Sequence, residues 1–357
     1  MPIRFRDLGF MPGVLPVGPH NAITDVPGVR VGHTTLIDGD HIRTGVTVIL
    51  PHGDNLFLEK VPAAAYTING FGKAAGLEQI RELGSIETPI ALTNTLNVAR
   101  VADALVTYSM AANPGIGWQL GTVNPVVGEC NDGYLNDIRG RYVSEAHVLA
   151  AINAATGGPV AEGNVGAGTG VQCYGFKGGI GTASRQIVPR DGETQPTYTL
   201  GTLVQTNFGA RKDLRILGVP VGEQFVDPGQ IDPDGSIMIV VATDAPLTSR
   251  QLERVAHRVS FGLGRTGTIC HHGSGDFVIA FSTAYRLPHR ADSLFADAPR
   301  LRDDRLLDRL FRAVVETVEE AVYNALIAAK PLTGYQDHHL PALPHDQLVD
   351  LLQRYHP

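Results

Sequence analysis

The stretch Ser236-Ile-Met-Ile-Val-Val-Ala242 limits the fold more than any other part of the chain. It is almost wholly apolar and lacks the alternation of a half-exposed strand, so it reads as a strand buried on both faces. Such a strand needs a packed layer on each side of its sheet. Phe277-Val-Ile-Ala-Phe281 makes the same demand. Amphipathic helices supply cover. Thr248 can cap one whose Leu252, Val255, Ala256 and Val259 follow helical spacing. A longer one carries Leu306, Leu307, Leu310, Val314, Val318 and Val322 on one side and stops near Lys330-Pro331. Upstream, residues 29–36 and 44–50 have the β-branched content of strands, with helical stretches near 98–110 and 144–155. Buried strands against amphipathic helices mean a layered α/β or α+β structure.

At 357 residues the chain has room for one large domain or two ordinary ones. It carries 29 basic and 36 acidic residues with no basic run beyond short pairs such as Arg211-Lys212. Nucleic acid and anionic membranes need clustered positive charge, so neither is an expected partner. Cys130, Cys173 and Cys270 stand far apart, without the spacing of a thiolate zinc site. No apolar stretch follows the basic residues of the N-terminus, and no apolar run approaches membrane-helix length. The expectation is a cytoplasmic protein in a reducing compartment.

Residues 163–181 are rich in glycine, which invites a phosphate-cradle reading. Lys177, however, is followed by Gly178 and Gly179, not by the Ser/Thr and helix of a P-loop. Strands passing close to other backbone explain these glycines better. His271 and His272 adjoin, so on a strand they would face opposite ways and could not clasp one metal. No metal site is expected.

Gly235-Ser236 follows a polar turn segment, residues 227–235, and opens the buried strand. If the bond before Ser236 were cut, that residue would carry a hydroxyl and a free α-amine together. An α-amine titrates at roughly 7.7–8.0 and accepts a proton near neutral pH. Nucleophile and base in one residue is the N-terminal-nucleophile solution. Glycine before the serine would permit strained backbone and an open carbonyl. On residue pattern alone the commonplace reading leads: Gly235 closes a turn and Ser236 starts a strand.

Longer blocks change that balance. Asp234-Gly-Ser-Ile-Met-Ile-Val-Val-Ala-Thr-Asp-Ala-Pro-Leu247 and His272-Gly-Ser-Gly-Asp-Phe-Val-Ile-Ala-Phe-Ser282 resemble the DmpA-type family. That family comprises L-aminopeptidase/D-esterases and β-peptidyl aminopeptidases, with nylon-oligomer hydrolases as relatives. The resemblance extends to Asn21-Ala-Ile-Thr-Asp-Val-Pro-Gly-Val-Arg-Val-Gly-His-Thr34, Arg43-Thr-Gly-Val-Thr47 and Val126-Val-Gly-Glu-Cys-Asn-Asp-Gly-Tyr-Leu-Asn-Asp137, in order along nearly the whole chain. It implies an α+β fold, a four-layer αββα sandwich of the DmpA/ornithine-acetyltransferase type. It also implies one catalytic domain, residues 1–357, that cuts itself into 1–235 and 236–357. The resulting pairs would assemble as a homo-oligomer, a tetramer of αβ pairs.

By the same resemblance Ser236 is the nucleophile and Gly235-Ser236 the autocleavage site. Ser274 is a second active-site serine, and Asp276 stands where the better-known relatives carry glutamate. Aspartate is one methylene shorter, so its carboxylate must sit closer or leave a gap for water. Asn207 matches an asparagine that supports the oxyanion, and Glu129 an acidic residue that meets the substrate's free amine. Where close relatives carry a further aromatic hydroxyl this chain has Asn131, which leaves Asn131 or Tyr134 as a second donor, or none. Cys130 and Cys270 lie near these motifs without an assignable partner, as buried small hydrophobes do.

The implied activity is removal of an N-terminal residue from small peptides, amides or esters bearing a free amine, without metal or organic cofactor. Two alternatives stand: an endo-amidase of the nylon-oligomer type, and an uncleaved relative that binds small molecules.

Overall fold

The computed structural model describes residues 3–188, 196–225, 235–291, 293, 299–302 and 305–355. The polar turn expected over 227–235 therefore lies outside the described residues, apart from Gly235. The main strands are β1 (Arg30–Asp38), β2 (Ile42–Leu50), β3 (Glu59–Gly70), β4 (Ile90–Asn94), β5 (Val126–Cys130), β6 (Ile180–Ile187), β7 (Tyr198–Asn207), β8 (Ser236–Thr243) and β9 (Gly275–Ser282). The main helices are α1 (Val98–Ala112), α2 (Glu145–Asn153), α3 (Ser249–Arg265) and α4 (Arg305–Ile327).

Two mixed sheets form. The smaller has the order β1-β2-β4-β5, with β4 and β5 parallel. The larger runs β3-β9-β8-β7-β6, with β8 and β9 parallel and the other neighbours antiparallel. Strand β8 lies inside this sheet, and its side chains divide by the period-2 rule. Ile237, Ile239 and Val241 pack with Leu252, Val255 and Val259 of α3 and Val314 and Val318 of α4. Met238, Val240 and Ala242 point the other way, into a core shared with Ile49, Leu92 and Val126 of the smaller sheet. The far side of the smaller sheet puts Val46, Val48 and Val127 against Val101, Leu105, Val148 and Ala151 of α1 and α2. The layers are helix, sheet, sheet, helix, with an apolar core at each junction.

Helix α3 starts as expected. The Thr248 hydroxyl accepts from Gln251 N at 3.3 Å, while Gln251 Oε1 accepts from Thr248 N at 3.1 Å. Gly181 shows why the glycine-rich segment is glycine-rich. A Cβ there would sit 2.0 Å from the Ala321 carbonyl oxygen, so β6 could not lie so close to α4. The segment's strands pass against other backbone and form no P-loop. No helix among the described residues is long and apolar enough to cross a membrane.

Candidate active site

Strand pairing brings the candidate residues together. Ser236 opens β8 and stands opposite Asn207, the last residue of β7, and beside Gly275, the first of β9. Directly opposed residues of an antiparallel pair approach to roughly 5 Å. Ser236 shares its parity with Met238 and Val240, and Asn207 shares its parity with Leu203, so both belong to the face between the sheets.

At that end of the sandwich a cavity of about 390 Å³ opens, lined by Asn207, Gly235, Ser236, Glu129, Asn131 and Thr95 with Phe71, Lys73, His272 and Gly273. Ser236 Oγ is buried on its wall with no hydrogen-bond partner. A buried hydroxyl without a partner is costly, and it marks a group available to something that enters.

Ser274 and Asp276 lie in the turn that leads into β9 and at its start. The Ser274 hydroxyl donates to Asp276 Oδ1 at 2.6 Å, so the shorter carboxylate reaches its serine directly and needs no bridging water. Burial pushes the Asp276 carboxyl above its usual range, and the hydrogen bond from Ser274 opposes that push. Neither residue lines the cavity. Three turn carbonyls, those of His271, His272 and Ser274, accept from the Asn69 side-chain amide.

Glu129, near the end of β5, is buried on the cavity's opposite wall. Its Oε1 accepts from Lys73 N at 3.0 Å and its Oε2 from the Thr95 hydroxyl. These bonds fix the carboxylate with acceptor capacity left for a cation. Asn207 is fixed too: its Oδ1 accepts from Gln172 N at 3.1 Å, which leaves the NH₂ end of the amide for the cavity.

Of the two candidates for a further donor, Asn131 is on the cavity wall, with its Oδ1 accepting from Gly133 N at 2.8 Å. Tyr134 is not. Its ring stacks on His338, with centroids 4.4 Å apart.

At Gly235 close approach favours glycine: a Cβ would lie 1.8 Å from the Asn207 carbonyl oxygen. The Gly235 carbonyl oxygen accepts from Gly275 N at 2.9 Å.

His271 and His272 also differ from expectation, since they occupy a turn and not a strand. His272 lines the cavity, whereas His271 Nε2 lies 3.7 Å from Asp213. Among the described residues, no group of three or more His, Cys, Asp or Glu is placed to hold a metal ion. Cys130 is fully buried beneath Ser236, where its thiol donates to the Gln205 and Ser236 carbonyls at 3.3 and 3.5 Å. Burial raises its pKa far above the ordinary thiol range, which leaves it no nucleophilic role. Cys270 is only half-buried, and its thiol is pushed up to about 12.

The pattern of peptidase family S58 matches residues 21–340. The chain belongs to that family. Over 382 aligned residues it is 42% identical to the β-peptidyl aminopeptidase BapA of Sphingosinicella xenopeptidilytica, covering 99% of this chain and 92% of the relative. The PH0078 protein of Pyrococcus horikoshii OT3 superposes with a TM-score of 0.94 at 47% identity, over 99% of this chain and 100% of that one. The L-aminopeptidase D-Ala-esterase/amidase of Ochrobactrum anthropi, described as a variant of the Ntn hydrolase fold, superposes with a TM-score of 0.91 at 41% identity, over 99% of each chain. The chain is thus an S58 aminopeptidase with the α+β sandwich of its relatives.

Proposed function

We propose that this S58 aminopeptidase cuts itself between Gly235 and Ser236, as one catalytic domain yielding chains 1–235 and 236–357, and then works as an N-terminal-nucleophile hydrolase. One observation carries the reading. Ser236 Oγ is buried and unpartnered on the wall of a cavity that it shares with the Asn207 amide and the Glu129 carboxylate.

For self-cleavage, Ser236 Oγ adds to the Gly235 carbonyl carbon. Gly275 N–H, already donating to that carbonyl's oxygen, supports the developing negative charge. As the C–N bond breaks, the proton from Oγ passes to the departing nitrogen, giving an ester and a free α-amine, and water hydrolyses the ester. For substrate, the α-amine of Ser236 takes the proton from Oγ, which attacks the substrate carbonyl. Asn207 Nδ2–H supports the oxyanion. The leaving amine departs with the proton held by the α-ammonium, and an acyl-enzyme ester remains on Ser236. Water gives a proton to the same amine as its oxygen adds to the ester carbonyl, and that proton passes to Ser236 Oγ as the C–Oγ bond breaks and the acid leaves. Ser274 and Asp276, joined at 2.6 Å, make no hydrogen bond to the Ser236 hydroxyl in the uncut chain, and their role is to orient the amine that cleavage frees.

Glu129 takes the substrate ammonium, which selects N-terminal residues. A cavity of about 390 Å³ suits small peptides, amides and esters. The relatives' names extend the proposal to β-amino and D-residue substrates. Cytoplasmic placement and assembly as a homo-oligomer, a tetramer of αβ pairs, belong to the same reading.

The test is denaturing mass spectrometry during turnover of a slowly hydrolysed ester. The expected result is an acyl mass on the fragment that begins at Ser236. An adduct on another residue, or none under conditions where product forms in a burst, contradicts the mechanism.

A further inference from the structure

Lys177 is wholly buried within the glycine-rich segment and takes no part in the mechanism above. No carboxylate among the described residues lies within ion-pair distance of it. Its ammonium instead donates to three carbonyl oxygens, those of Gly168 at 3.0 Å, Val171 at 2.8 Å and Gly178 at 2.7 Å. Burial lowers its pKa to about 7, against the opposing influence of Cys173 and Asp132; three carbonyl acceptors suit the protonated form. A neutral amine has only two N–H groups for three carbonyls.

One of those carbonyls leads to the active site. The Val171 carbonyl and the Gln172 N–H are the two ends of a single peptide group, and that N–H donates to Asn207 Oδ1 at 3.1 Å. A cation on the oxygen end of a peptide draws electron density from its nitrogen and strengthens the N–H as a donor. Linked hydrogen bonds polarise one another in a low-dielectric interior. A stronger donor on Asn207 Oδ1 in turn makes the Nδ2–H a better donor to the cavity. Two further hydrogen bonds, one local and one to a distant segment, brace this line. Gln172 Oε1 accepts from Gly175 N at 2.7 Å, and Lys177 N donates to the Pro341 carbonyl at 2.7 Å.

We infer that Lys177 is a positioning residue for the reaction: through the peptide group joining Val171 to Gln172 it orients and polarises the Asn207 amide that faces the oxyanion. The inference rests on the oxyanion role proposed for Asn207, so its test must separate the two.

The test is a double-mutant cycle on processed enzyme, with kcat and KM measured for a free-amine p-nitroanilide. Lys177→Met removes every donor, whereas Lys177→Gln keeps an uncharged one that can still brace the carbonyls and so guards against loss of fold. Lys177→Gln is expected to lower kcat about tenfold with little change in KM, and Asn207→Ala about a hundredfold. In the Asn207→Ala background the lysine substitution should cost less than about twofold, because its effect passes through the missing amide. Equal losses in both backgrounds would overturn the inference and leave the Asn207 reading intact. A kcat within about twofold of wild type for Asn207→Ala alone would overturn that reading, and the inference with it. Failure of both lysine variants to fold or process would also overturn it, since the ammonium would then serve the fold.

Discussion

Ser236, Asn207 and Gly275 meet because three neighbouring strands end level with one another, and each residue then presents a different group to one end of the sandwich. The Asn207 amide is oriented by Gln172 N, and the Glu129 carboxylate by Lys73 N and Thr95. Charge pairing at Glu129 gives a direct prediction. Glu129→Gln keeps the size of the side chain and an oxygen to accept from Lys73 N, with Thr95 free to turn its hydroxyl and accept from the new amide, but removes the charge proposed to meet an ammonium. The kcat/KM for a free-amine substrate should fall about 10–100-fold, as loss of a charge-assisted bond of roughly 1.5–3 kcal/mol implies, while an N-acetylated analogue changes little. Equal behaviour of the variant and the wild type towards both substrates would remove the amine anchor. At this scale Ser236, Ser274, Asp276, Asn207 and Glu129 were singled out through a family resemblance carried by motifs that are continuous in sequence, and their roles remain proposals. Thr95, Asn69 and the Lys73 N–H were not. Their contributions come from a backbone amide and from side chains that matter only once the turns are folded.

Among the elements, the strands buried on both faces and the capped helix α3 were legible from apolar runs and spacing. The expected strand over 29–36 extends to Arg30–Asp38, because it pairs with β2 along its whole length. How the strands order into two sheets was carried by no local pattern. Tertiary pairing decides it. Asp132, just beyond β5, shows a link of that kind. It is buried, accepts from the Asn136 side chain at 3.0 Å, and is drawn towards Thr44 of β2 and Asn94 of β4. Burial raises its carboxyl from an ordinary 3.8 to about 7. Between those values the native chain holds a proton that the unfolded chain has lost, so this group's contribution to stability declines as pH rises through that window. Asp132→Asn removes the titration. The melting temperature of the variant, relative to wild type, should therefore rise as pH goes from about 4.5 to about 8. A difference that stays constant across that range would show that Asp132 is ionised throughout.

For the molecule as a whole, four layers leave the inter-sheet space closed by apolar packing except where the strand ends turn polar around Ser236. The larger sheet is tied to its helix by a buried charge network as well as by apolar contact. Arg185 of β6 pairs with Glu316 and Glu320 of α4 at 2.9 and 2.7 Å, and Arg6 joins Glu320 at 2.6 Å. Such a network orders the N-terminal segment, and breaking a buried pair costs several kcal/mol. The proposed activity turns on one event, release of the Ser236 amine by cleavage after Gly235. The most direct measurement is the intact mass, under denaturing conditions, of wild type beside Ser236→Ala. Two wild-type fragments meeting between Gly235 and Ser236, with an uncut variant, are predicted. A single uncut wild-type chain that still hydrolyses substrate would contradict the account, because the base assigned to the reaction would not exist.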